Sequence, residues 1–174
     1  MEADKAKLVL DVTQTKHGGA GVVSAYLLKH IAARAGSFAP GIQDRMFFDL
    51  QRRGTGIPQV QRWFMENLDR LNNLGYGFFA RDISLETPAL RAWVDQGKGF
   101  RGAIVPVSLR KLHPDMKSDT TTYTIGLCRG EKGLMMFDPW PGTEPRIVPP
   151  PESLESAHRD RNYMAIAVFW RGYS

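Results

Sequence analysis

The sequence predicts an α+β domain in which helices come first along the chain and strands follow. The first half carries apolar residues at spacings of three and four, the period of a helix that is buried on one face. The second half carries short β-branched or aromatic runs separated by turns. We therefore expect one domain over residues 1–174, with an N-terminal helical half packed on a C-terminal antiparallel sheet.

The first helix is predicted to begin near Ala20 or Gly21, after a short strand or extended segment over residues 7–12. Its buried face is defined by Val23, Tyr26, Leu27 and Ile31. Residues 38–53 are predicted to be helical in part.

Two further helices have recognisable ends. Pro58 suits the first turn of a helix, where a missing N–H costs no hydrogen bond, and Gly75 is its predicted C-cap. Thr87 and Pro88 begin the next helix, and Gly97 ends it.

Four strands are predicted in the second half of the chain. They cover Ala103 to Leu109, Thr121 to Leu127, Leu134 to Phe137 and Met164 to Trp170. Turn-forming segments such as "RGEKG" separate them, as expected for antiparallel neighbours.

The composition is that of an ordinary soluble globular protein, with 43% hydrophobic and 24% charged residues. No apolar run approaches the ~18 residues that span a membrane. The net charge of +5 comes from dispersed basic residues, so we do not expect nucleic acid as a partner. The single cysteine, Cys128, excludes an internal disulfide and a multi-cysteine zinc site. Neither His30 nor His158 belongs to a metal-ligand spacing, so we expect no metal, and we expect no cofactor either.

The N-terminal stretch "MEADKAKLVLDV" lacks the basic region and the long apolar region of a secretory signal. We expect the protein to be made in the cytoplasm, and export would then require a specialised secretion system. The oligomeric state is not predicted.

The stretch "TQTKHGGAGVVSAYLL" forms a glycine-rich turn that leads into the first helix. Position 20 lies at the predicted helix N-terminus, where unpaired N–H groups and the helix dipole would stabilise a thiolate. Gln14, six residues earlier, could donate an amide N–H to an oxyanion together with the backbone N–H of residue 20. A nucleophilic cysteine would suit this position, yet the residue there is Ala20. The alternative interpretation is a glycine-rich loop that only caps a helix.

The order of Gln14, Gly18, position 20 and Ser24 resembles the start of the papain-like cysteine proteases. In that family a glutamine precedes the catalytic cysteine by six residues and a glycine precedes it by two, while a serine follows by four. By this resemblance, Ala20 occupies the place of the nucleophile and Gln14 the oxyanion position.

Two later segments extend the resemblance. Residues 74–109 resemble bacterial peptidases that process bacteriocin leaders, and "YTIGLCRGEKGLMMFDPWPG" resembles those and the YopT-type effector proteases. There a histidine opens one strand and an Asp-Pro pair closes the next. Asp138 matches, but Thr122 stands at the histidine position, with Tyr123 as the neighbouring choice. Neither side chain is a general base near neutral pH.

The absence of both cysteine and histidine favours a domain that kept the papain-like fold and binds a peptide or protein partner in a vestigial cleft. The competing interpretation is a bacterial cysteine protease or acyl-transfer hydrolase of the effector-toxin kind, with its cysteine replaced by Ala20 and its base supplied by His113 or another residue. A scaffold unrelated to papain is the third. Taken alone, His113 is expected to be an exposed loop histidine, and Cys128 a partly buried structural thiol.

Overall fold

The computed structural model describes residues 19–36, 57–73, 77–115, 123–139 and 146–174. The helices are α1 (Gly19–Arg34), α2 (Ile57–Asn73), α3 (Thr87–Gln96), α4 (Leu109–Leu112) and α5 (Ser153–Arg159). The strands are β1 (Phe78–Ser84), β2 (Arg101–Val107), β3 (Tyr123–Gly130), β4 (Gly133–Asp138), β5 (Arg146–Val148) and β6 (Met164–Trp170). The predicted α+β class is confirmed.

The strands form one six-stranded sheet in the order β1-β6-β2-β3-β4-β5, and every pair is antiparallel. A tight turn joins β3 to β4 and sets Gly126 opposite Phe137. Pro106 lies in β2 beyond Ile104, the last residue that pairs with β6, so its missing N–H removes no bond to that strand. In this strand order the last strand, β6, lies inside the sheet between β1 and β2.

The sheet separates two apolar cores. The first contains α1 and α2 together with the strand residues Phe78, Ile104, Cys128, Phe137, Ile166 and Val168. The second contains residues of α3, α4 and α5 together with Ala103, Val105, Val107, Tyr123, Ile125, Leu127, Met136 and Ala165. Neighbouring residues of a strand belong to opposite cores, as the pleat requires.

Helix α1 packs closely on β3 and runs in the same direction along it. Val23 lies over Gly126, and about two turns later the ring of His30 donates from Nε2 to the carbonyl of Arg129 at 2.9 Å. The first turn of α1 therefore lies towards the start of β3.

The structure differs from the predicted division into a helical half and a sheet half. Strand β1 comes from the N-terminal half of the chain, and α3 and α5 cover the sheet face opposite α1. The predictions for residues 7–12, residues 38–53 and Gly75 lie outside the described residues. Among the helices that are described, none combines the length and apolarity needed to cross a bilayer.

Candidate functional site

Ala20 lies in the first turn of α1, where the sequence predicts the nucleophile position. Its residue surface is only 1% exposed, and it belongs to the first core. The hydroxyl of Ser24, which is also buried, donates to the carbonyl of Ala20 at 2.6 Å. Position 20 therefore presents a methyl group packed among apolar side chains.

Asp138 ends β4 and carries a carboxylate that is fully buried. The hydroxyl of Tyr123 donates to Oδ1, and Nε2 of His113 donates to Oδ2 at 2.6 Å. The guanidinium of Arg146, on the paired strand β5, lies 3.5 Å from Oδ2. A buried charge requires such partners, since an unpaired one costs several kcal/mol, of the order of 3–5.

His113 is held at this carboxylate by the short helix α4. Ser108 caps the start of α4 by accepting from the backbone N–H of Lys111, and Leu112 packs in the second core. The backbone N–H of His113 then closes the helix on the carbonyl of Leu109 at 2.7 Å. The expectation of an exposed loop histidine is therefore wrong, because the side chain is only 18% exposed and lies between Asp138 and solvent.

Tyr123 completes the cluster from the start of β3. Its ring meets that of His113 edge to face, with centroids 6.2 Å apart. Burial, and then the neighbouring Asp138 carboxylate, raise the pKa of this phenol far above its ordinary value. The phenol of Tyr123 therefore stays protonated near neutral pH and serves as a hydrogen-bond donor to Asp138.

The two described residues of the predicted site lie on opposite faces of the sheet. Ala20 belongs to the core beneath α1, whereas Asp138 is bonded to Tyr123 in the other core. The structure thus unites Asp138 with His113 instead of with the start of α1. Gln14 and Thr122 lie outside the described residues.

The His113–Asp138 pair could orient an imidazole and hold it as a base through Nδ1, as carboxylate–histidine pairs do in hydrolases. A nucleophile at position 20 would lie across the sheet from it. The sequence signals of the His113–Asp138 pair are the Asp-Pro dipeptide and a histidine 25 residues before it. Neither signal indicates on which face of the sheet the two side chains meet.

The remaining candidate side chains, Cys128 and His158, are buried in the interior of the domain. Cys128 is predicted to be a partly buried structural thiol; it is 1% exposed within the first core, and burial raises the pKa of its thiol to about 12. His158 lies between the hydroxyl of Thr87 and the carbonyl of Met164, and burial lowers its pKa. Within the described stretches, no group of three His, Cys, Asp or Glu side chains is arranged to hold a metal ion.

Comparison of the sequence with protein-family models and with curated proteins gives no match, so the papain-like resemblance depends on the residues named above.

Proposed function

We propose that this chain is a catalytically degenerate papain-like domain, a pseudoprotease that binds a peptide or protein partner. One observation carries the proposal: Ala20 offers no nucleophile and is packed across the sheet from the His113–Asp138 pair. Acyl transfer by a thiol requires the nucleophile and its base within hydrogen-bond reach of each other. In the described structure the β-sheet lies between position 20 and the His113–Asp138 pair.

Two features of the fold that the papain-like resemblance implies support the proposal. A helix begins at Gly19, directly before the nucleophile position, and packs on an antiparallel sheet. The Asp-Pro pair lies where β4 ends beside β3. Both are expected of a papain-like domain, but the resemblance also implies one cleft shared by Ala20 and Asp138, and these two residues lie on opposite faces of the sheet.

The partner surface that the geometry favours lies on β1 and β6. The rings of Phe79 and Phe169 stack with centroids 5.7 Å apart. Cζ of Arg171 lies 5.5 Å from the centre of Phe79, and Cζ of Arg81 lies 5.4 Å from the centre of Phe169. Guanidinium groups that lie over aromatic rings are held in place and can direct their N–H edges to carboxylates. An acidic peptide segment is therefore the partner class that this surface suits.

A single observation favours the enzyme alternative, a cysteine protease or acyl-transfer hydrolase with Ala20 in place of its cysteine. His113 donates to Asp138 at 2.6 Å, the pairing that a catalytic histidine requires. That alternative demands that the imidazole reach position 20, on the other face of the sheet.

The thiol pKa of an Ala20→Cys variant distinguishes the two proposals. It is obtained from the pH dependence of iodoacetamide labelling, mapped by mass spectrometry. Ala25→Cys is the matched control, because Ala25 is equally buried on α1 but lies beyond the first turn. A pseudoprotease should give an Ala20→Cys thiol pKa at or above the ordinary ~8.5, and labelling no faster than the control.

A thiol pKa well below that of the control would contradict the pseudoprotease proposal if the shift disappears in Ala20→Cys/His113→Gln. Partner binding is tested separately with a fluorescein-labelled hexaglutamate peptide in an anisotropy titration. Arg81→Gln and Arg171→Gln should each weaken binding, whereas Arg62→Gln, an exposed cation on α2, should not. Equal losses in all three would show only nonspecific attraction.

A further inference from the structure

A pocket of about 580 Å³ opens at the end of α1 that is remote from Ala20. It lies between α1, the turn before β2 and the β3–β4 hairpin, and we call it the basic pocket. Among the described residues, its cationic lining residues are Arg34, Lys98 and Arg129, with His30 beside them, and Glu131 is the acidic one. Cations from three separate parts of the chain thus meet around one opening.

Arg34 is held in the wall of the basic pocket. Its Nε donates to the carbonyl of Lys98 at 3.0 Å, and its Cζ lies 5.7 Å from the centre of the Phe100 ring. Gly99, at φ +93°, leaves room for this side chain, since a Cβ there would lie 2.9 Å from Cγ of Arg34. The bond to Lys98 uses one of the five N–H donors of the Arg34 guanidinium. The terminal N–H groups of the planar guanidinium have the geometry that suits oxyanions.

The opposite wall is tied to α1 and α3. The carbonyl of Arg129 accepts from His30 at 2.9 Å, and the guanidinium of Arg129 donates to the carbonyl of Asp95 at 3.1 Å. The carboxylate of Asp95 also lies 3.7 Å from Nε of Arg129, with both side chains well exposed. These bonds hold the hairpin in position before any ligand arrives, which lowers the entropic cost of binding.

The charge and size of the basic pocket indicate its ligand. Three cations and one carboxylate leave an excess of two positive charges in the described lining, and the Asp95 carboxylate beside Arg129 reduces the local excess to one. A phosphate monoester carries about −1.5 to −2 near neutral pH, and small-molecule pockets span roughly 300–1,000 Å³. We propose that the basic pocket binds a phosphate-bearing small molecule, with Arg34, Lys98 and Arg129 as its anion ligands. The proposal is independent of the pseudoprotease proposal, because it involves neither Ala20 nor Asp138.

Inorganic phosphate is the probe for the test, with acetate as the monoanionic comparison at equal ionic strength. Each is titrated into ¹⁵N-labelled full-length protein at about pH 7.5, where phosphate is mainly dianionic. We expect saturable shifts of the amide signals of Gly99, Gly130 and Glu131, and tighter binding of phosphate than of acetate. A second titration with glycerol 3-phosphate should give the same set of shifts, since a phosphate monoester is the group recognised.

Substitutions at neighbouring positions should change phosphate affinity in opposite directions. Arg34→Gln and Lys98→Gln should each weaken phosphate binding by roughly fivefold, the loss of one charge-assisted contact at an exposed site. Asp95→Asn should tighten it, because the carboxylate that competes for Arg129 is removed. Lys132→Gln is the matched control, since it removes one exposed charge from the same hairpin without touching the lining. All four positions are exposed, so the fold should survive.

Three results would overturn the proposal. One is phosphate binding no tighter than acetate binding, and another is a set of shifts spread over the surface instead of gathered at the basic pocket. The third is an equal loss in Lys132→Gln and Arg34→Gln, which would indicate only the attraction of a basic protein for anions.

Discussion

Gly126 of β3 and Val23 of α1 share a space that holds only one side chain: a Cβ on Gly126 would lie 2.8 Å from Cγ1 of Val23. Gly126 has an extended backbone conformation within β3, so its role is to let the helix approach. Because Val23 belongs to the first core and lies directly over Gly126, the position of α1 on the sheet depends on this contact.

Gly126→Ala should therefore destabilise the domain by about 1–3 kcal/mol, the usual cost of overpacking a core. Urea unfolding followed by far-ultraviolet circular dichroism measures the change. The double variant Gly126→Ala/Val23→Ala should recover part of the loss, since the smaller side chain makes room for the methyl group. Purely additive losses would mean that the two side chains do not compete.

Tyr123→Phe should lower the free energy of unfolding by about 2 kcal/mol, because a buried carboxylate loses a hydrogen-bond donor. Tyr163→Phe is the matched control, since its hydroxyl donates at 3.1 Å to Glu155, whose side chain is 44% exposed. The control should change stability by no more than about 0.5 kcal/mol. Similar losses in both variants would contradict the special role of Asp138.

A double-mutant cycle tests whether Tyr123 and His113 act through the same carboxylate. Both donate to Asp138, so the losses from Tyr123→Phe and His113→Gln should not be additive. The expected coupling is about 0.5 kcal/mol or more, in urea unfolding of the two single variants and the double variant. A coupling of zero would mean that each partner holds Asp138 independently.

His158 should make stability depend on pH. Burial lowers its pKa in the folded state, so at mildly acidic pH the unfolded chain binds the proton more readily. Its contribution to stability is complete above the unfolded pKa of about 6.5 and is lost as the pH falls below that value. Urea unfolding between pH values on either side should show this decline in the parent and a smaller one in His158→Gln. Parallel pH profiles would contradict the assignment.

Cys128 should not react with a thiol reagent such as DTNB in the folded protein at about pH 8, since burial raises its thiol pKa to about 12. In denaturing urea the same thiol should react at once. Rapid labelling of the native protein would mean that β3 opens locally without global unfolding.

Much of the fold follows from local patterns. The predicted start of α1 is within one or two residues of Gly19, and the last predicted strand matches β6. Strand β1 was not predicted, because its exposed Arg81 and Asp82 interrupt the apolar run, as charges often do on strands near a sheet edge. The ends of the other predicted strands differ by up to three residues.

The candidate site was harder to predict, because it depends on which core each strand residue enters. The short turn between β3 and β4 fixes their register, so Tyr123 and Asp138 could have been assigned to one face from the sequence. Nothing local indicates that α1 packs on the other face. His113 reaches the same carboxylate only because α4 buries Leu112, a tertiary contact that no motif records.

The position of β6 also determines when the sheet can form during translation. It is the last strand along the chain, yet it joins β1 to β2 in the middle of the sheet. Until translation has passed Trp170, β1 has no neighbour to pair with in the described sheet, and both cores lack a wall. The nascent chain should therefore remain an incomplete sheet until β6 has left the ribosome, and until then chaperones that shield apolar strands would act on it.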